Sequence, residues 1–251
     1  MQSFALEICA DSLTSALAAQ RGGAQRVELC SALSLGGLTP SAGMITCARN
    51  HLEIDLFVMI RPRSGDFLYS DAEIEVMKQD ILTAKQLGAD GVVFGILTAS
   101  GTVDMERTRE LVNLAHPLPA TFHRAFDMTA DPFIALENLI ELGVKRLLTS
   151  GQQNSAIEGI PLLSELVRKA ENRITVMAGS GIHAGNIRDL MRSTRVTEIH
   201  LSGKTWVESE MFHRNPHISM GGDSSVSEFG HFVSDEFKIR QIQEILSSRE
   251  I

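Results

Sequence analysis

The stretch FALEICADSLTSALAAQRGGAQRVELC, residues 4–30, contains the pattern that decides the fold. Two short runs rich in branched apolar residues, 4–9 and 26–30, lie on either side of a segment near 12–21 that has helical periodicity. The glycine pair after that segment is typical of a helix C-terminus. The stretch therefore predicts a strand, a helix and a second strand.

The same alternation recurs to the end of the chain. Eight β/α units in 251 residues match the (β/α)8 barrel, whereas an open doubly wound sheet usually has about five or six strands. We predict a single TIM-barrel domain over residues 1–251, closed by a helix at about 235–247. The predicted strands are 4–9, 26–30, 54–60, 91–94, 121–124, 146–148, 174–177 and 198–201, and the predicted helices lie near 12–21, 41–51, 71–87, 104–115, 132–142, 156–170 and 183–192.

Composition excludes several classes of partner. The chain has 23 Lys and Arg against 31 Asp and Glu, a formal net charge of −8, which is opposite in sign to surfaces that bind nucleic acid or anionic lipid. The three cysteines, without a C-x-x-C motif, predict reduced thiols and a cytoplasmic location. No apolar run reaches the roughly 18 residues of a membrane span, and no secretory signal is expected.

Two segments resemble nucleotide-binding motifs without matching them. The run 202–205 reads SGKT, but the first glycine of a P-loop would fall at Glu198. The run 179–185 has one residue too many for G-x-G-x-x-G. The sequence also lacks the zinc-protease motif H-E-x-x-H and the hydrolase motif G-x-S-x-G. No nucleotide cofactor is therefore expected.

Strand parity indicates a polar mouth. Side chains of barrel strands alternate between the helix layer and the interior, and barrel sites lie at the carboxyl ends of the strands. The segments LEIC (6–9) and VELC (27–30) repeat one pattern, and a carboxylate facing the apolar helix layer would be costly, so both glutamates are predicted to point inward. We expect one connected network that supplies acid and base, or alternatively a structural ion-pair network. The candidate catalytic residues are Glu7, Glu28, Arg61, His123 and His200.

Arginines and glycine-rich turns near the mouth predict a small anionic ligand, such as a phosphorylated metabolite. Arginine forks bind carboxylate or phosphate through paired hydrogen bonds. Glycines after the seventh and eighth strands expose backbone N–H groups close to a helix N-terminus. The alternative is that these glycines serve turn geometry only. The candidate anion-binding residues are Arg63, Arg124, Gly179, Ser180, Gly181, Gly203 and Lys204.

Two cysteines predict a different chemistry. Cys9 and Cys30 should lie on neighbouring parallel strands, roughly 4.8 Å apart. Two thiolates at this spacing can share Cu(I) if the stagger of the strands permits, with Met59 or a histidine as a further ligand. The alternative is that both cysteines are buried as small apolar residues. Cys47, inside the second predicted helix, is expected to serve packing.

The stretch 203–234 has no clear periodicity and is predicted to be a long loop. His213 and His217 are four residues apart, but Pro216 between them argues against a regular helical metal pair. A loop of this length in a compact domain is usually a lid or an arm that contacts a partner. We predict a lid or a dimer arm.

Five motifs of the chain are specific enough to compare with known families. They are ELCSALSLGGLTPSAG (28–43), MIRPR (59–63), FHRAFD (122–127), LTSG (148–151) and AGSGI (178–182). Together they resemble the CutC family, which is named for copper homeostasis, and the likeness runs from Phe4 to about Gly222. The resemblance implies a cytosolic, homodimeric TIM barrel associated with copper, and it maps the candidate copper thiols of the family onto Cys9 and Cys30.

Two functions stay open at this point. The first is a copper homeostasis or copper tolerance protein that binds Cu(I) through Cys9 and Cys30. The second is a TIM-barrel enzyme of the lyase, isomerase or hydrolase type that acts on a small anionic metabolite through the candidate catalytic residues. The sequence does not decide whether the protein is an enzyme.

Overall fold

Eight parallel strands form a closed barrel. The computed structural model describes residues 4–215, 217–218 and 227–248. The strands pair in sequence order, and the first pairs with the eighth to close the sheet, which confirms the predicted TIM barrel. The barrel strands are β1 Ala5–Ala10, β2 Arg26–Leu29, β3 Asp55–Met59, β4 Gly91–Phe94, β5 Ala120–Phe122, β6 Arg146–Thr149, β7 Thr175–Gly179 and β8 Glu198–Leu201.

Several helices begin at polar caps. Ser12 accepts a hydrogen bond from the N–H of Ser15 at the start of the first helix. Asp131 caps the helix whose first residue is Pro132, as the sequence predicts. The helices are α1 Leu13–Arg21, α2 Ala42–His51, α3 Asp71–Gln86, α4 Met105–Ala115, α5 Pro132–Glu141, α6 Ile160–Ala170, α7 Ile187–Thr194 and α8 Glu236–Ser247.

Two helices begin later than the sequence predicts. The predicted starts are near 156 and 183, whereas α6 begins at Ile160 and α7 at Ile187. Before α7, the Asn186 side chain accepts from the N–H of His183 at 2.9 Å and donates to the carbonyl of Gly181 at 2.8 Å. These bonds hold a turn at the mouth of the barrel where a first helical turn was expected.

The strand registers bring the two LEIC-like segments together as predicted. Cys9 on β1 is the cross-strand partner of Glu28 on β2. Glu7 on β1 is the cross-strand partner of His200 on β8. Glu7 and Glu28 are both buried in the barrel interior and not in the helix layer, where Leu6 lies. The prediction from strand parity is therefore correct for these strands.

Strand β3 follows the same alternation. Phe57 and Met59 pack in a small interior cluster with residues of β2 and β4. Leu56, Val58 and Ile60 are fully buried in the main core between the barrel and its helices. Burial of an apolar side chain in such a core stabilises the fold by about 1.5–3 kcal/mol, so the outward positions fix the register that points the others inward.

The predicted loop 203–234 begins and ends in strands, which corrects the prediction. Strand β9, Lys204–Glu208, pairs antiparallel with β10, Gly230–Ser234. Trp206 is opposite Phe232, and their ring centroids are 5.0 Å apart. The side chains of this two-stranded ribbon are largely exposed on both faces, so burial imposes no alternating pattern for sequence analysis to detect.

The connection between β9 and β10 contains residues that the sequence analysis singled out. His213 and His217 are exposed. Pro216 and the run 220–222 lie outside the described residues. Among the helices that the structure describes, none has the length and hydropathy of a membrane-spanning segment.

Candidate functional site

A buried ion network occupies the lower part of the barrel interior. Arg26 donates to Glu7 and to Glu198, and Arg146 Nε donates to Glu198 Oε2 at 2.9 Å. The two guanidinium groups lie over the ring of Phe57, 4.9 and 5.3 Å from its centroid. This part of the site matches the structural ion-pair alternative.

Sequence reasoning missed three members of this network. Arg26 precedes Glu28 by two residues, and Glu198 precedes His200 by two. Arg146 opens β6 on the same inward parity. The sequence pattern could have identified these residues, because side chains two positions before an inward residue also point inward.

His200 connects the two glutamates near the mouth. Its Nδ1 lies 2.7 Å from Glu7 Oε1, and its Nε2 lies 3.8 Å from Glu28 Oε2. Cys9 lies near the His200 side chain, and its charge raises the pKa of His200. A carboxylate on Nδ1 fixes the orientation of the imidazole, so Nε2 is the nitrogen directed at Glu28.

The two glutamates differ in protonation. Burial alone would raise the pKa of Glu7, but the charge of Arg26, together with His200, lowers it to about 2. Burial raises the pKa of Glu28 to about 7, even though the charge of His200 acts in the opposite direction. Burial would lower the pKa of His200, but the negative groups around it raise the pKa. Glu28 can therefore give or take a proton near neutral pH.

Arg61 and His123 form a second group, which corrects the expectation of one connected network. Arg61 donates to the carbonyls of Leu35, Gly37 and Gly65 at 2.9–3.1 Å. These bonds hold the loops after β2 and β3. Arg61 follows the end of β3, so its guanidinium group lies among loop carbonyls and donates its hydrogen bonds to them.

His123 is enclosed on the far side of the barrel from His200. Its Nδ1 accepts from the N–H of Ala125 at 3.2 Å, and its ring lies 5.0 Å from that of Phe67. Burial and the charge of Arg61 lower the pKa of His123 to about 3. His123 is therefore a neutral imidazole at pH 7 and does not join the His200 group.

A cleft of about 630 Å³ opens above Cys9 and His200. Five of the seven predicted anion-binding residues line this cleft. Lys238 of α8 lines it as well. The sequence analysis missed Lys238 because a long connection separates α8 from the barrel strands. Nζ of Lys238 donates to the carbonyl of Lys204 at 2.9 Å. The predicted residues that line the cleft are Arg124, Ser180, Gly181, Gly203 and Lys204.

Two predicted anion-binding residues lie elsewhere. Arg63 pairs with Asp66 and Glu73 in the connection between β3 and α3, so local carboxylates neutralise it. Gly179 is buried, and a Cβ there would lie 2.7 Å from Leu148 Cδ1 and 3.4 Å from the His200 side chain. Gly179 thus provides space for Leu148 and, less strictly, for His200.

Asp127 ties two of the recognised motifs together. It accepts from Thr149 Oγ1 at 2.5 Å and from the N–H groups of Ser150 and Gln152, each at 3.1 Å. Arg124 Nε donates to Asp127 Oδ2 at 2.7 Å. The FHRAFD segment therefore fixes the turn of the LTSG segment, and Arg124 is partly neutralised by this contact.

The cysteines differ in exposure. Cys9 is 8% exposed on the cleft floor, and Cys30 is fully buried with its Sγ 3.5 Å from the carbonyl of Ala10. Burial raises the pKa of Cys30, and the nearby Cys9 contributes in the same direction. The expectation that Cys47 serves packing is wrong, since Cys47 is exposed on α2.

Met59 adds a third sulfur. A Cβ on Gly37 would lie 3.5 Å from both Cys30 Sγ and Met59 Cε, so the two side chains meet at that glycine. Gly37 has a φ of +84°, which favours glycine. Together, Cys9, Cys30 and Met59 form a sulfur group on β1, β2 and β3.

A TIM barrel with ionisable side chains at the carboxyl ends of its strands is the class of protein that this fold and site define. The model of the CutC family matches residues 4–205. The chain therefore belongs to the CutC family.

Relatives match over nearly the whole chain. A human protein named copper homeostasis protein cutC homolog is 50% identical over 96% of this chain and 89% of its own length, and its mouse counterpart has the same values. A CutC family protein from Bacteroides thetaiotaomicron is 48% identical over 98% of this chain and 100% of its own length.

Solved structures agree on the fold. A CutC protein from Streptococcus agalactiae is 38% identical, with a TM-score of 0.76, over 79% of this chain and 98% of that one. A thiamine phosphate pyrophosphorylase from Pyrococcus furiosus has a TM-score of 0.58 at 14% identity, over 98% of this chain and 96% of that one, and its likeness concerns the barrel fold alone.

Proposed function

We propose that this chain acts in copper homeostasis and takes up Cu(I) through Cys9 and Cys30. Relatives at 50% identity are named copper homeostasis proteins. The observation that carries the proposal is the sulfur group, in which Cys9 opens to the cleft and Cys30 is buried near enough for the two thiols to interact electrostatically. Copper is here the cargo of the protein.

The donor chemistry of the sulfur group fits Cu(I). Thiolates and thioethers are soft ligands that select Cu(I) over harder cations, and Met59 adds a thioether beside Cys30. Burial disfavours the Cys30 thiolate without a metal. A bound cation replaces the proton and compensates the charge, so the buried thiol serves as a ligand only when metal is present.

A competition titration tests the copper site. Reduced protein is titrated with Cu(I) against a chromophoric Cu(I) chelator, and the variants Cys9→Ser, Cys30→Ser and Cys47→Ser are compared with wild type. We expect the first two to weaken binding by at least about tenfold. Cys47→Ser is the matched control, because Cys47 is exposed on α2. Equal affinity in wild type and the Cys9→Ser/Cys30→Ser double variant would remove the proposal.

An enzyme acting on a small anionic metabolite is a second candidate, favoured by the mouth cleft. Lys204, Lys238 and Arg124 border the cleft beside the glycine turns, and His200 and Glu28 can exchange protons at its floor. Backbone N–H groups and cationic side chains of this kind bind phosphate in many barrels.

Thermal unfolding with inorganic phosphate tests the anion site. A site occupied at roughly a hundred times its Kd stabilises the fold by about 2.7 kcal/mol, so we expect a higher Tm for wild type. Lys204→Ala and Gly181→Asp should lose most of this gain, and sulfate serves as a control because it stabilises proteins generally. Equal gains in all three proteins would mean that the glycines serve turn geometry only.

We also propose a cytoplasmic location and a homodimer. Free cysteines suit a reducing compartment, and the exposed β9–β10 ribbon offers an arm to a second copy or a lid over the cleft. Sedimentation equilibrium of wild type and of Phe232→Ser, which changes an exposed side chain of the ribbon, measures the first role. A monomeric wild type would exclude it.

A further inference from the structure

We propose that Glu28, His200 and Cys9 bind a divalent transition-metal ion of the Zn²⁺ type on the cleft floor, with Glu7 as the residue that positions His200. This site shares Cys9 with the proposed copper site, but it adds nitrogen and oxygen donors and does not need Cys30.

The first support is the convergence of donor atoms. One ligand atom each from Glu7, Glu28 and His200 lies within 4.8 Å of the others. Glu7 Oε1 holds the Nδ1 side of His200 at 2.7 Å, which leaves Nε2, 3.8 Å from Glu28 Oε2, as the free ligand atom. A histidine that ligates zinc typically has its second nitrogen bonded to a carboxylate in this way.

The second support is an unpartnered carboxylate oxygen. Glu28 is 3% exposed, and its Oε1 has no hydrogen-bond partner among the described residues. Buried polar atoms are nearly always paired, and each exception asks for an explanation. A cation between Glu28 and His200 would give this oxygen its missing partner and would neutralise a carboxylate held in the barrel interior.

Cys9 supplies the third donor and the route of entry. It is the cross-strand partner of Glu28 and lies near enough to the His200 side chain to act on its charge. Cys9 and His200 both line the cleft, so a fourth coordination position would face it. Three protein ligands with one open position are the arrangement of catalytic zinc sites, whereas structural sites have four protein ligands.

Zn²⁺ titration against a chromophoric chelator tests the site. Reduced full-length protein, first treated with a chelator, should bind one equivalent of Zn²⁺. Glu28→Gln and His200→Gln should weaken binding by at least about tenfold, and Glu7→Gln by about tenfold through the orientation of His200. Co²⁺ provides a second readout, since a thiolate-to-cobalt absorption band should appear in wild type and in Glu7→Gln but vanish in Cys9→Ser.

Two control variants separate this site from the copper site. Cys30→Ser should weaken Cu(I) and leave Zn²⁺ affinity unchanged, whereas Glu28→Gln should weaken Zn²⁺ and leave Cu(I) unchanged. Far-UV circular dichroism and Tm verify the fold of each variant, and if His200→Gln fails to fold, the nearly isosteric Glu28→Gln and Cys9→Ser decide the matter. Wild type without stoichiometric Zn²⁺ binding, Glu28→Gln with wild-type affinity, or loss of Zn²⁺ in Cys30→Ser would each overturn the proposal.

Discussion

Glu7 and Glu28 are identical side chains on adjacent strands, yet their surroundings give them opposite protonation states. Burial would raise the pKa of both, but Arg26 and His200 hold the pKa of Glu7 at about 2. Among the described residues no guanidinium group bonds to Glu28, and burial raises its pKa to about 7 even though the charge of Arg26 acts in the opposite direction. Such a divergence between neighbouring carboxyl groups is typical of sites that move protons.

The first prediction concerns the stability cost of Glu28. Between pH 4.5 and 7, the unfolded chain releases the proton of Glu28 while the folded chain retains it, so this group lowers the free energy of unfolding as pH rises. Glu28→Gln removes this pH-dependent decrease in the free energy of unfolding. We expect the variant to gain up to about 3 kcal/mol relative to wild type over this range.

Urea unfolding of both proteins at pH 4.5 and pH 7.5 measures the difference. The exposed Glu165→Gln substitution on α6 is the control, for which no comparable change with pH is expected. A difference between Glu28→Gln and wild type that stays constant with pH would contradict the assignment.

At the same scale, the sequence predicted Glu7, Glu28, Cys9 and His200 because parity depends only on alternation. It misjudged Arg61, whose position beyond the end of β3 leaves it among loop carbonyls. Long side chains past a strand end bond to whatever the loop presents, and the loop conformation cannot be derived from alternation.

Among the connecting elements, the segment after β5 and the segment after β6 behave as one unit through Asp127. Its carboxylate accepts hydrogen bonds from two side chains and two backbone N–H groups of 149–152. This contact sets the wall of the cleft next to Arg124.

The second prediction is that Asp127→Asn lowers the free energy of unfolding by about 2 kcal/mol, because an amide loses the charge that strengthens these bonds. Hydrogen exchange at the N–H groups of Ser150 and Gln152 should accelerate in the variant. Asp131→Asn is the matched control, since asparagine caps a helix about as well as aspartate. Equal losses in the two variants would show that Asp127 has no special role.

The boundaries predicted from the sequence agree with the structure where the element is buried. Strands β1–β8 were predicted closely because each has a fully covered outward face that demands apolar residues. The β9–β10 ribbon and the turns before α6 and α7 escaped detection because side-chain and backbone bonds define them, and such bonds impose no hydrophobic period.

Over the whole molecule, the thiols are arranged by depth, with Cys30 enclosed, Cys9 at the cleft floor and Cys47 on the surface. The third prediction is that mild air oxidation links two chains through Cys47, because dioxygen can take two electrons and two protons only from thiols that are accessible to solvent and to each other. A non-reducing gel should show the dimer band in wild type and in Cys30→Ser. The band should be absent in Cys47→Ser, and its persistence there would assign the link to another thiol.

The Phe57 ring, with the guanidinium groups of Arg26 and Arg146 packed on it, affects where a ligand can enter the barrel. Arg26 and Phe57 are almost completely buried at the lower level of the barrel, so among the described residues they close the interior at that level. The cleft opens at the other end, above Cys9 and His200. We therefore expect a ligand of the cleft to enter and leave through the same opening.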